Sequence, residues 1–200
     1  MLVSENKSRP VYKGLELDEA ARRHIVAVEG EGALAAIEML SGRPDAAAHA
    51  TIVYTPGASA GQGHEAALEA LGPEALHVLP SVPTALVRIN GLLATATMGT
   101  RLYAAGVEGF VGQTVAAGME HGIDPFSIPI EHRGSLARRV QCVHCKGFTE
   151  NVTVSPVTCA HCGLSLLVRD HYSRRLGAFQ GVCVNAEEPG VTPPAEELFA

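Results

Sequence analysis

His24-Ile-Val-Ala-Val28, followed by Glu29-Gly30-Glu31-Gly32 and then by Ala33 to Leu40, is the stretch that decides the fold. A short apolar run without polar alternation suits a strand buried on both faces. The glycines turn the chain, and the segment rich in Ala and Leu reads as a helix. Strand, Gly-rich turn and helix in that order begin a βα unit. Downstream the pattern repeats. Thr51 to Thr55 reads as a second strand, Pro56 to Gly63 as a loop, and His64 to Leu71 as a helix closed by Gly72-Pro73. Leu76 to Leu79 is a third strand and Arg101 to Ala105 a fourth, turning through Gly106-Val-Glu-Gly109. Phe110 to His121 reads as a helix ending at Gly122, and Ser127 to Glu131 as a short last strand. Ser41 to His49 is expected to be a loop. Thr84 to Leu93 stays ambiguous, because Leu86, Ile89, Leu92 and Leu93 fit helical spacing while β-branched neighbours oppose it. The alternation predicts an α/β fold, a doubly wound and mostly parallel sheet over residues 24–134. Residues 1–23, with Pro10 and Gly14, are expected to form an extended arm.

A second pattern follows that sheet. Cys142-Val-His-Cys145 and Cys159-Ala-His-Cys162 are two C-x-x-C pairs. Paired thiols on tight turns, with the turns on adjacent short strands, converge on one point and complete a tetrahedral metal site. Gly147 and Gly163 stand just after the pairs, where such a turn asks for φ > 0. Between the pairs, Phe148, Val152, Val154 and Val157 alternate with threonines and read as a hairpin interrupted at Pro156. This is the pattern of a zinc ribbon, expected over residues 135–170, with Cys142, Cys145, Cys159 and Cys162 as ligands. Zinc suits the ligand set and spacing; iron in the same cage would carry electrons instead. His144 and His161 lie inside the turns and are expected to point outward. Cys183, between Val182 and Val184, reads as a small buried hydrophobe. Residues 171–200 are expected to be a docking tail, and the stretch from Leu164 to Arg175 that leads into it packs mixed charge beside aromatics.

Composition narrows the function classes. A hydrophobic content of 46% with 18% charged residues describes a globular chain. No run of eighteen apolar residues occurs, so no membrane span is expected. Met1 to Lys7 lacks the basic-then-apolar order of a secretory signal, which makes a cytoplasmic location the expectation. A net charge of −6, the absence of Trp and 4% aromatics argue against a nucleic-acid partner. No paired carboxylates, Ser/His/Asp order or open metal position marks a catalytic centre; Glu131-His132 is the nearest pairing, and a surface turn explains it.

Glu131-His132-Arg133-Gly134-Ser135-Leu136-Ala137-Arg138-Arg139-Val140-Gln141-Cys142, with Val168-Arg169-Asp170-His171-Tyr172-Ser173-Arg174-Arg175-Leu176-Gly177, resembles the A-type subunit family of dimethylamine monooxygenase. The likeness covers the whole chain and is most specific from Glu131 onward. It implies a multicomponent enzyme that oxidises dimethylamine to methylamine and formaldehyde with O₂ and NADPH. Flavin, an iron–sulfur cluster and haem are then expected in the assembly, and the partners are the other monooxygenase subunits.

The first 130 residues also resemble the nicotinamide-binding half of ferredoxin reductases. That likeness implies a phosphate loop at Gly30, Gly32 and Gly106, with phosphates at a helix N-terminus. Those reductases carry Cys-Gly-Pro before a phenylalanine, whereas this chain reads Ala105-Gly106-Val107-Glu108-Gly109-Phe110. Glu29 and Glu31 would repel pyrophosphate, and the segment before the first strand is too short for a flavin barrel. The expectation is therefore a non-catalytic subunit, with a structural zinc ribbon and a reductase-like scaffold for electron-carrying partners. Two alternatives remain open at this point: an NAD(P)H-binding domain that passes hydride to a flavin on a partner chain, and a zinc-ribbon adaptor for nucleic acid or protein.

Overall fold

The computed structural model describes residues 8–57, 63–188 and 190–199. They fall into two units, one spanning Tyr12–Gly134 and the other holding the described residues up to Val11 and from Ser135 onward.

In the first unit the elements are β1 (Arg23–Glu29), α1 (Gly32–Leu40), α2 (Pro44–Ala48), β2 (Ala50–Thr55), α3 (Glu65–Glu69), β3 (Ala75–Val78), α4 (Val82–Ala94), β4 (Thr100–Gly106), α5 (Glu108–Glu120) and β5 (Ile130–His132). The sheet runs β3-β2-β1-β4-β5 and every pair is parallel, so the expected doubly wound sheet is present. Strand β1 is central, and its residues alternate between two cores. Val26 and Val28 meet Tyr54, Tyr103, Ala36 and Leu40, while Ile25 and Ala27 meet Val53, Leu102, Ile89 and Phe110. This two-sided burial explains why the run from Ile25 to Val28 carries no polar residue.

Two local expectations are corrected and one open stretch is decided. Residues 41–49 contain a helix, because Pro44 opens α2 and alanines follow. The ambiguous stretch is helix α4; Ser81 and Thr84 form a reciprocal capping box that starts it, and Pro83 sits in its first turn. The last strand begins at Ile130 because Pro125–Ser127 is a 3₁₀ turn. Of the expected loop from Pro56 to Gly63, residues 58–62 lie outside the described residues. Residues 12–18 have no regular structure, yet they are tied down. Gly14 donates to the Ile130 carbonyl at 3.2 Å, Leu15 and Leu17 pack on the α1 side, and Asp18 pairs with Arg101.

The second unit contains β6 (Arg138–Cys142), β7 (Phe148–Val152), β8 (Val154–Ser155), β9 (Val157–Thr158), β10 (Ser165–Ser173), β11 (Ala178–Cys183) and β12 (Glu196–Glu197). Five strands form a sheet in the order β7-β6-β11-β10-β9, and β12 pairs with β8. Strands β6 and β11 are parallel; the other pairs are antiparallel. The hairpin expected between the cysteine pairs does not form. Strand β7 pairs with β6 across the first cysteine turn and β9 with β10 across the second, so each arm folds back over its own turn. Strand β10 runs through the position where the sequence reading divides ribbon from tail, and β11 follows in the same sheet.

Candidate metal centre

Each cysteine pair sits on a reversal closed in the same way. The Cys142 N–H donates to the Gly147 carbonyl at 2.9 Å, and the Lys146 N–H returns to the Cys142 carbonyl at 3.0 Å. In the second turn the Cys159 N–H donates to the Leu164 carbonyl at 2.9 Å, and the Gly163 N–H to the Cys159 carbonyl at 3.1 Å. The residue after the second cysteine takes a positive φ in both, 64° at Lys146 and 75° at Gly163. Sequence reasoning placed a glycine after each pair, but only Gly163 has the left-handed backbone. Lys146 adopts it in the first turn, with its ammonium donating to the Val143 carbonyl at 2.6 Å. Gly147 serves a different need. A Cβ there would lie 2.5 Å from the His161 ring.

The four sulfurs all lie within 4.8 Å of one another. Cys142 and Cys162 are 3.8 Å apart at Sγ, and Cys145 and Cys159 are 3.7 Å apart. A tetrahedron with metal–sulfur bonds of ~2.3 Å has edges of ~3.8 Å, so the donors are spaced for such an ion. The cage backs onto Leu166, with Val157 and Leu164 beside it. Burial opposes ionisation of Cys159, yet the N–H groups of Cys162 and His161, with the Cys162 and Cys145 thiols, lower it to about 6. Cys162 goes the other way. The Leu164 N–H favours its thiolate, but burial and the three neighbouring thiols push it up to about 12. Four sulfurs this close share protons unless a cation sits among them, and a tetrathiolate set suits zinc or iron.

Neither histidine joins the cage. His144 is exposed. The Nε2 of His161 lies 2.9 Å from the Phe148 carbonyl, a carbonyl that can only accept, so this nitrogen carries the proton. His161 thus fastens the second turn to the strand leaving the first, and the Ala160 N–H adds a bond to Thr149 Oγ1 at 3.2 Å. The sequence signal for that role was Gly147, a small residue facing a ring. Cys183 is half-buried in β11 and its thiol donates to Asn185 Oδ1 at 3.1 Å.

The glycines of the candidate phosphate loop come together elsewhere. Gly30 (φ 51°) follows β1, Gly32 opens α1, and Gly106 (φ 145°) ends β4. They meet between β1 and β4, where the strand order reverses, which is the ligand crevice of doubly wound sheets. The glycines are needed for close packing there. A Cβ on Gly32 would stand 2.3 Å from the Ala105 carbonyl oxygen, and one on Gly106 would stand 2.9 Å from the Glu29 Cβ. Glu29 is buried at this point, its carboxylate so near Gly57 that a Cβ on Gly57 would lie 2.8 Å from Oε1. An anionic pyrophosphate would meet that buried carboxylate, so these residues fit a dinucleotide poorly. Glu131 and His132 also lack the freedom of an acid–base pair: Glu131 accepts from the Arg133 Nε at 2.5 Å and the Leu15 N–H at 2.9 Å, and the His132 ring tilts against Tyr12.

Residues 4–128 match the family described as dimethylamine monooxygenase subunit DmmA-like, N-terminal domain, and residues 139–182 match the C-terminal domain of the same description. The chain belongs to this family. It is 36% identical, over 121 residues, to the heme-dependent oxidative N-demethylase delta subunit of Ectopseudomonas mendocina (strain ymp); the match covers 60% of this chain and 69% of that subunit. Among solved structures, it is similar to the flavohem-like FAD/NAD binding domain of nitric oxide dioxygenase from Vibrio cholerae O1 biovar El Tor, at 14% identity and TM-score 0.44. That match covers 62% of this chain, which spans 56% of the other. An intact type IV self-sufficient cytochrome P450 monooxygenase is similar at 17% identity and TM-score 0.45, over 84% of this chain and 27% of that one. Among the described residues, no helix is long and apolar enough to cross a membrane.

Proposed function

We propose that this chain is a non-catalytic subunit of a multicomponent, NADPH- and O₂-dependent dimethylamine monooxygenase, which converts dimethylamine to methylamine and formaldehyde. Membership of the monooxygenase-subunit family supports the assembly. The observation that carries this chain's own role is the spacing of Cys142, Cys145, Cys159 and Cys162, with sulfur edges of 3.7 and 3.8 Å. Zn²⁺ is the proposed ion; it has no redox chemistry and would act by fixing the four thiolates. Those thiolates lie at the end of β6, on the turn into β7 and on the turn between β9 and β10, so holding them fixes the second unit. Flavin, iron–sulfur cluster and haem then belong to partner chains in the cytoplasm. The α/β unit serves as their docking scaffold, a reading supported by the buried Glu29 at its crevice.

Elemental analysis with an absorption spectrum, on the chain alone and on the natively purified complex, tests this. The expected result is one zinc per chain and a colourless isolated subunit, with flavin, iron and haem only in the complex. Iron in the isolated chain, with a visible thiolate-to-iron band, would make the cage a redox centre.

A second reading is favoured by the meeting of Gly30, Gly32 and Gly106 at the switch point: an NAD(P)H-binding domain that donates hydride to a partner's flavin. It requires saturable quenching of NADPH fluorescence by this chain alone. No binding up to millimolar NADPH ends it.

A further inference from the structure

The C-terminal segment is built as an anchor on a long tether. Every described residue from Ala186 to Leu198 is exposed, yet Phe199 is buried. Glu196 and Glu197 pair with Ser155 and Val154, and the N–H groups of Leu198 and Phe199 both donate to the Thr153 carbonyl at 3.0 Å. One buried ring and a few backbone bonds are what this segment sets against the entropy of ordering it.

The pocket that takes the ring is made by strands β6 and β11. Arg138, 7% exposed, lies with its guanidinium 3.9 Å from the centroid of the Phe179 ring and 4.0 Å from that of the Phe199 ring, a cation between two π faces. Asp170 holds it from the side at 2.9 Å and also binds Arg9. Along β6 the buried residues are Arg138, Val140 and Cys142. The same face of one short strand therefore carries the guanidinium half of the Phe199 socket at one end and a candidate ligand of the cage at the other.

We infer that the C-terminal strap is a latch coupled through β6 to metal occupancy of the cage. With the four sulfurs fixed, β6 holds Arg138 against Phe179 and the strap closes. Without the ion, β6 loses its anchor at Cys142, the stack loosens and the strap lifts, baring the Arg138–Phe179 socket and the edge of β8. This inference rests on the cage being a metal site.

Zn²⁺ affinity, measured by chelator competition on the full chain and on a chain truncated after Ala195, is the first half of the test. The second half is amide exchange of Leu198 and Phe199 with and without Zn²⁺. Truncation and Phe199→Ala should weaken Zn²⁺ binding roughly 5-fold or more, while Leu198→Ala, in the exposed part of the strap, leaves it unchanged. By linkage, the factor lost on truncation must equal the factor by which Zn²⁺ lowers the open population of the strap, read from exchange protection at equilibrium, an equality that a merely destabilised unit has no reason to obey. Equal affinity in the full and truncated chains, or exchange that ignores Zn²⁺, overturns the latch. A full-length chain that binds no Zn²⁺ instead overturns the metal reading beneath it.

Discussion

The two units solve the same problem, bringing distant backbone together at a glycine-rich turn, by opposite means. At the β1–β4 crevice the chain fills its own space: Gly32 and Gly106 let backbone touch backbone, and a buried carboxylate closes the gap. At the cysteine turns the backbone stays apart and four side chains point at a shared centre. The first arrangement is held by two large cores on a central sheet. Among the described residues the second has two small clusters, Val140, Val152, Val168, Phe179 and Phe199 in one and Leu166 with Cys142 and Cys159 in the other, a thin core for a sheet this size. One unit packs its own crevice shut; the other aims four donors at a common centre.

The largest expected effect breaks that contrast at the cage. Cys159→Ser, or exhaustive chelation, should unfold the second unit and leave the first folded, because structural zinc contributes about 10–16 kcal/mol of apparent binding energy in small domains. Two thermal transitions by calorimetry, with only one moved by chelator, would bear this out; a single joint shift would refute it. Gly32→Ala attacks the other unit. Its methyl would have to displace the Ala105 carbonyl, so a loss of about 3 kcal/mol in the first transition is expected, the upper range for overpacking. Wild-type stability in urea would show that the turn has room to relax.

Acid separates the units more gently. His24 is buried, and burial lowers its pKa below 6.5, with Asp18 opposing and His49 assisting. Its Nδ1 lies 3.1 Å from the Tyr103 hydroxyl, which accepts from the Asp18 N–H and is left to donate to that nitrogen. A group protonated more readily when unfolded draws the equilibrium toward unfolding. The stability of the first unit should therefore be full above 6.5 and fall as pH drops through that value toward the folded pKa. His24→Gln should flatten the slope of urea midpoint against pH. Metal release from the cage should follow its own curve, governed by thiolate protonation and untouched by this change. The smallest effect belongs to His161→Ala. Losing its bond to Phe148 should cost about 1 kcal/mol in the second transition and leave one metal per chain. Loss of the metal itself would make His161 a ligand.

Both units were legible where a single principle governed the residues. The run from Ile25 to Val28 has no reason to be wholly apolar except burial on two faces, and two C-x-x-C pairs have little use except convergence. Reading failed where position depended on something far along the chain. Pairing of β7 and β9 looked local, but the cysteine turns direct each of them to a different partner. Nothing local marks Arg138 for burial, because charge normally marks the surface. Only the arrival of Phe179 and Phe199, 41 and 61 residues later, makes a guanidinium an interior group. Glu29 was legible as an acid in the wrong place for phosphate; that it is buried depends on Gly57 and Gly106 closing over it.

Strand β11 lies at the middle of its sheet, between β6 and β10, although it is the last of the five to be synthesised. As the chain leaves the ribosome, all four cysteines emerge before Ala178 does. During that interval the thiols are available to an ion while the strand that spaces β6 from β10 does not yet exist. Metal capture can therefore precede sheet formation, and a nascent chain stalled before Ala178 would carry a complete set of ligands on an incomplete scaffold.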